Sequence, residues 1–143
     1  MRIILDTNIL ISALIVPQGA PSYLYQCWRR GIFRLISSEE QLEEFRRVTR
    51  YPRLERFLSP AAAGTMVNEV RALAVLTGRL PQIDISPDPA DNFLLAMAVA
   101  GKADLLVTGD GQHLLSLERH ANTRIVTARE AAKALGCAVR LDP

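Results

Sequence analysis

Two short hydrophobic runs that each lead into an aspartate constrain the fold of this chain most strongly. The first run is Ile3–Leu5, followed by Asp6, and the second is Leu105–Val107, followed by Thr108-Gly109-Asp110. A short apolar run bounded by polar residues is typical of a strand that is buried on both faces of a parallel sheet. Ligands of open α/β sheets bind outside the carboxyl ends of the strands. The two aspartates therefore predict a polar site at one edge of such a sheet.

The rest of the chain alternates between strand-like and helix-like segments. This alternation favours an α/β fold, a three-layer sandwich in which a roughly five-stranded parallel sheet lies between helices. The predicted strands are Arg2–Leu5, Phe33–Ile36, Gln82–Ile85, Asp104–Val107 and Arg124–Val126. The predicted helices are Asn8–Ile15, Pro21–Arg30, Ser37 to about Arg50, Ser59 to about Thr77, Asp88–Ala100 and Thr127 to about Gly136. Two of these helices begin with a capping-box pattern, Ser37 with Glu40 and Thr127 with Glu130.

Composition excludes several classes of protein. A length of 143 residues, 49% of them hydrophobic, is that of one globular domain, which we expect to span residues 1–143. A net charge of +2 creates no strong field that would draw a membrane or a nucleic acid to the whole surface. The apolar runs Ile9–Val16 and Phe93–Ala100 are far shorter than the ~20 residues of a transmembrane helix. Cys27 and Cys137 lack metal-ligand spacing, as expected of buried thiols in a reducing cytoplasm. We therefore expect a cytoplasmic protein without a membrane contact.

Four acidic residues are candidates for one site. Asp6 and Asp110 follow strands, so a parallel sheet places both at the same edge. Asp91 opens a helix that runs antiparallel to the strands, and its first turn therefore lies back at that edge. Asp88, which precedes it, fits the helix N-cap better. Glu44 lies at the margin of the apolar stripe of its helix, from where its carboxylate can reach inward.

A pocket that gathers these acids would require a cation. Two carboxylates ~5 Å apart repel each other by roughly 3 kcal/mol at an effective dielectric constant of 20, whereas a helix cap contributes only about 1 kcal/mol. Carboxylate oxygens without cysteine or histidine at ligand spacing suit Mg²⁺ or Mn²⁺ rather than Zn²⁺. The pattern points to metal-dependent chemistry on phosphate.

Four segments carry these acids, in this order along the chain: Leu5-Asp6-Thr7-Asn8, Ser38 with Leu42-Glu43-Glu44, Asp91–Ala98 and Ala103–Asp110. Together they resemble the PIN-domain family of metal-dependent ribonucleases, and especially the small prokaryotic proteins that are toxins of toxin–antitoxin pairs. The resemblance covers almost the whole chain. It implies that one or two Mg²⁺ or Mn²⁺ ions are held by a catalytic quartet, which consists of Asp6, Glu44, Asp91 and Asp110.

The same resemblance implies further roles and partners. Asn8 and Thr108 would orient the carboxylates, and Asp88 would be an accessory acid. The substrate would be RNA, a small antitoxin would occupy the active-site groove, and the protein would form a homodimer or a higher homo-oligomer. Three arginines close to the groove, Arg46, Arg47 and Arg50, either position the RNA backbone or belong to the solvated surface.

Two other functions compete with the nuclease hypothesis. One is a phosphoryl-handling α/β domain of the receiver or haloacid-phosphatase type, but Asp6-Thr7-Asn8 supplies neither the adjacent acidic pair of a receiver nor the two alternate aspartates of such a phosphatase. The other is a non-catalytic module that keeps the fold and binds RNA or a protein without cutting it. The sequence leaves the second alternative open.

Overall fold

A sheet of six strands forms the centre of the computed structural model, which describes residues 1–109 and 113–136. The strands are β1 (Arg2–Leu5), β2 (Arg34–Ser37), β3 (Val75–Leu76), β4 (Leu105–Val107), β5 (Arg119–His120) and β6 (Thr123–Val126). Their order across the sheet is β3-β2-β1-β4-β6-β5. All neighbouring pairs are parallel except β5 and β6, which are antiparallel. The central strand β1 therefore has a parallel neighbour on each side.

Helices cover both faces of this sheet. They are α1 (Thr7–Ile15), α2 (Ala20–Arg29), α3 (Glu39–Thr49), α4 (Pro60–Leu73), α5 (Pro89–Gly101), α6 (Leu114–Leu117) and α7 (Ala128–Ala134), with a 3-10 turn at Pro52–Leu54. Because side chains alternate along a strand, Ile3 and Leu5 enter the core on the side of α1 to α4 and α7, while Ile4 packs on the side of α5. The predicted three-layer α/β fold is confirmed. None of the described helices combines the length and the apolar character of a membrane span.

The third strand does not lie where the sequence predicts it. The segment Gln82–Ile85 is irregular, and the strand is instead Val75–Leu76, which the pattern assigned to the end of a helix. Helix α4 ends at Leu73, and Ala74 is extended, with ψ at 163°. The two residues of β3 then pair with the end of β2. Pairing with a neighbouring strand has thus overridden a local helical pattern.

The start of α3 also differs from the prediction by one residue. Ser38, not Ser37, is the N-cap, because Ser37 still belongs to β2. The Ser38 hydroxyl accepts a hydrogen bond from the Gln41 N–H at 3.1 Å. The Ser37 hydroxyl donates to the Gln41 side-chain oxygen at 2.6 Å, and the Gln41 amide group donates to the Leu5 carbonyl at 2.8 Å. The predicted capping box of Ser37 and Glu40 is therefore wrong, and buried Gln41 attaches α3 to the end of β1.

The part of the sheet near the opposite edge, at β6, follows the prediction more closely. Strand β6 contains the predicted Arg124–Val126, and the predicted capping box of Thr127 and Glu130 at the start of α7 is confirmed. The antiparallel strand β5 has only two residues, which is too few for an alternating pattern to be recognised. The sheet therefore has one strand more than the sequence predicts.

Close packing of α5 against β2 gives a testable consequence at Gly101, the last residue of α5. A Cβ atom there would collide with Ile36 Cγ2 and lie 3.2 Å from Thr77 Cγ2. We expect Gly101→Ala to lower the free energy of unfolding, measured with urea, by about 1–3 kcal/mol. Gly64→Ala is the control, because that exposed helical glycine has no neighbour within 4 Å, and it should stabilise the protein by about 0.5–1 kcal/mol. Equal effects of the two substitutions would contradict the packing described.

Candidate active site

The carboxyl ends of β1 and β4 bring Asp6 and Thr108 side by side. The register pairs Leu5 with Val107, and the Asp6 N–H extends this ladder by donating to the Val107 carbonyl at 2.9 Å. The Thr108 hydroxyl donates to Asp6 Oδ2 at 2.8 Å. The other carboxylate oxygen accepts the main-chain N–H of Asn8 at 3.3 Å, which makes Asp6 the N-cap of α1. Protein donors thus orient both oxygens of this half-buried carboxylate.

Helix α3 carries Glu44 to the same edge of the sheet. Gln41 holds the first turn of this helix against the end of β1, and Glu44 lies in the following turn. Glu44 is half-buried, whereas its neighbour Glu43 is exposed. The hydroxyl of Thr7 donates a hydrogen bond to Glu44 Oε1. Because Thr7 directly follows Asp6, the first residue of α1 connects these two carboxylates.

Asp91 reaches the edge from the first turn of α5 and is only 4% exposed. Its Oδ2 atom accepts a hydrogen bond from the Ser86 hydroxyl at 2.8 Å. The segment that contains Ser86 is held by the side chain of Asn92, which accepts the Ser86 N–H at 2.9 Å and donates to the Ser86 carbonyl at 2.8 Å. The irregular segment before α5 therefore supplies a fixed hydroxyl group to the buried carboxylate.

A cavity of about 280 Å³ joins these groups. Four carboxylates line it, those of Asp6, Glu44, Asp88 and Asp91, together with one guanidinium, that of Arg53. The exposed Asp88 is the N-cap of α5, since its carboxylate accepts the N–H group two residues later at 2.9 Å. Three members of the predicted quartet and the accessory acid thus border one cavity, which we call the acidic cavity. The fourth member, Asp110, lies outside the described residues.

The donor set of the acidic cavity fits a hard divalent cation, because the lining contains carboxylates but neither histidine nor cysteine. Within residues 1–109 and 113–136, no three Asp, Glu, His or Cys side chains are close enough to hold a metal ion by themselves. Mg²⁺ commonly binds proteins through one or two carboxylates and keeps several of its waters. Four carboxylates line the acidic cavity, which is more than this smaller requirement needs.

The arginines of the predicted RNA-binding set are separated in the structure. Arg46 and Arg50 line a different cavity of about 500 Å³, between α3 and α4. Arg47 is exposed and lines neither cavity. Arg53, which the sequence did not single out, borders the acidic cavity.

Three side chains at the site, Thr7, Ser86 and Arg53, were missed from the sequence. Thr7 directly follows Asp6, and this adjacency is the feature of the sequence that could have identified it as a site residue. Ser86 and Arg53 lie in segments without regular periodicity, where no pattern predicts the direction of a side chain. For Asn8, the contact with Asp6 that the structure shows is made by the main-chain N–H.

Comparison with known proteins gives one match. A family model described as PIN domain matches residues 2–112, which is more than half of the chain. The matched range contains β1 to β4 and every carboxylate that lines the acidic cavity. No curated protein and no solved structure matches the chain.

The bond between Ser86 and Asp91 can be tested through stability. Ser86→Ala removes the hydroxyl donor from a buried carboxylate, and a hydrogen bond to a charged group contributes about 1.5–3 kcal/mol. We expect the free energy of unfolding at neutral pH to fall by that amount. Thr65→Ala, which removes an exposed hydroxyl in α4, should change it by no more than about 0.5 kcal/mol. A loss from Ser86→Ala no larger than that of this control would mean that Ser86 does not hold Asp91.

Proposed function

The chain belongs to the PIN-domain family, whose members are generally nucleases, and we propose that it is a metal-dependent ribonuclease that hydrolyses RNA phosphodiester bonds. One observation carries the proposal: Asp6, Glu44 and Asp91 come from three separate elements and line the same cavity. The cavity lies at the carboxyl ends of parallel strands, where ligands of α/β sheets bind. Members of the family typically use divalent metal ions.

In this proposal Asp6, Glu44 and Asp91 are the metal-binding and catalytic residues, and Asp110, which follows β4 in sequence, is the fourth. The cofactor is Mg²⁺ or Mn²⁺, as one ion or two. The chemistry that such ions supply is polarisation of the phosphate and activation of water for attack on phosphorus.

The hydroxyl groups of the site would act as positioning residues. Thr108, Thr7 and Ser86 each donate to a different carboxylate. Each of these bonds restricts the rotamer of a carboxylate that would otherwise turn away from its negatively charged neighbours. The hydroxyls thereby keep the carboxylates directed into the acidic cavity, so that little reorganisation accompanies the binding of metal and substrate.

The proposal predicts that Asp6→Asn abolishes cleavage of RNA in Mg²⁺ while the fold is kept. Asparagine also caps helices well, so the start of α1 should be preserved. Since loss of an outer-shell partner already costs 10–100-fold in activity at metal sites, we expect a loss of about a hundredfold or more. Asp84→Asn, an exposed aspartate outside the acidic cavity, is the matched control and should remain active. Undiminished cleavage by purified Asp6→Asn, free of contaminating nuclease, would refute the assignment.

A second candidate function is a non-catalytic module that binds RNA or a protein. Such a module would keep the same cavity, because the hydrogen bonds that place Asp6, Glu44 and Asp91 are made within the protein. Calorimetric titration with Mg²⁺ or Mn²⁺, followed by incubation with a mixed RNA pool, separates the two functions. Ion binding with cleavage supports the nuclease, and binding of intact RNA without cleavage supports the module.

We also propose that the chain is the toxin of a toxin–antitoxin pair, that it acts in the cytoplasm as a homodimer or higher homo-oligomer, and that a small antitoxin protein silences it. The support for this role is the resemblance of the four acidic segments to toxins within the family. Uncontrolled cleavage of cellular RNA would stop growth. The growth of cells that express the protein is therefore a direct measure of the toxin role.

Induced expression in a bacterial host should therefore arrest growth, whereas equal expression of Asp6→Asn should not. Growth should recover when a short reading frame immediately upstream of the gene is expressed at the same time. Growth arrest of the same strength by Asp6→Asn, or normal growth with an active nuclease, would contradict the toxin role.

A further inference from the structure

Arg53 is the only Lys, Arg or His among the described residues that line the acidic cavity. It lies in the 3-10 turn Pro52–Leu54 that follows α3, and its side chain is exposed. The guanidinium carbon lies 5.5 Å from the centroid of the Tyr51 ring, within the range of a cation–π interaction. The proline next to it fixes one backbone angle of the turn. These contacts keep a positive charge at the edge of a cavity that is otherwise acidic.

Arg53 makes no ion pair with any described residue, although four carboxylates line the same cavity. The ion pairs within the described parts of the chain join Arg29 to Glu69 and Arg71 to Glu39, both away from this site. The five N–H donors of the guanidinium therefore remain available for an external anion. An arginine whose role was to neutralise the carboxylates would be expected in contact with one of them.

The negative charge of the acidic cavity would oppose the entry of a nucleic acid, and the guanidinium of Arg53 would offset part of that charge. Four carboxylates and one guanidinium leave a net negative charge even when one divalent ion is added. A phosphodiester is itself an anion, so its entry is opposed by repulsion. A guanidinium presents two parallel donors that match a pair of phosphate oxygens. Within the described lining, Arg53 is the group with this chemistry.

We propose that Arg53 binds non-bridging oxygens of the phosphate that is to be cleaved, and is thus a substrate-binding residue of the acidic cavity. The inference rests on the proposed nuclease function. The sequence offered Arg46, Arg47 and Arg50 as RNA-binding residues, but none of these three arginines borders this cavity. The contact requires no metal ion, so it can be measured without cleavage.

Binding of a short, fluorescently labelled single-stranded RNA tests the proposal, measured by anisotropy in EDTA at increasing NaCl concentrations. We expect Arg53→Gln to weaken binding about tenfold, as for the loss of one charged hydrogen-bonded contact. The slope of log K against log salt should become less steep by about 0.7, the value for one phosphate contact on a single strand. Arg53→Lys should keep the slope but bind more weakly than the wild type, because lysine lacks the paired donors.

Arg56→Gln is the matched control, since Arg56 is an exposed arginine of the same segment that lines neither cavity. It should bind RNA like the wild type, and both variants should keep the wild-type melting temperature. Equal binding by Arg53→Gln and Arg56→Gln would overturn the proposal. Tighter binding by Arg53→Gln would also overturn it, because Arg53 would then be competing with the substrate. Absence of Mg²⁺-dependent cleavage by the wild type would instead refute the nuclease function, whichever way the binding comparison falls.

Discussion

Strands β1 and β4 pair in parallel, with Leu5 opposite Val107. This register places Asp6, the first residue after β1, next to Thr108, the first residue after β4. Because both faces of a parallel sheet are buried, Ile3–Leu5 and Leu105–Val107 are apolar throughout, and the polar side chains that form the site lie beyond the ends of these strands. Here Thr108 and Asp6 occupy those positions and form a hydrogen bond. A slip of one residue would turn every side chain of the strand to the opposite face. The rest of the site is assembled around this edge.

Polar side chains connect two helices to that edge and at the same time satisfy buried main-chain groups. Gln41 bonds to the last carbonyl of β1 and so fixes α3, which carries Glu44. Asn92 bonds to both main-chain groups of Ser86 and so fixes the hydroxyl that meets Asp91. The same hydrogen bonds thus satisfy the buried backbone and determine the positions of the carboxylates.

Charge is distributed around α3 according to its helical period. Arg46 and Arg50 are one turn apart and border the cavity towards α4, whereas Glu44 lies on another face and borders the acidic cavity. Arg53 lies beyond the end of the helix, where the 3-10 turn brings it back to the acidic side. Within α3, Arg46 and Arg50 are therefore directed into one cavity and Glu44 into the other, while Arg53 joins the acidic side.

The sequence by itself determined the α/β class, most helices, the buried strand before Asp6 and the position of Glu44 at the margin of an apolar stripe, because hydrophobic periodicity is a local property of the chain. Only the tertiary structure decided that residues 75 and 76 form a strand, since that depends on pairing with β2. It likewise decided which hydroxyl meets Asp91 and that Arg53 borders the acids. These contacts join remote or irregular segments, and no repeating pattern in the sequence encodes them.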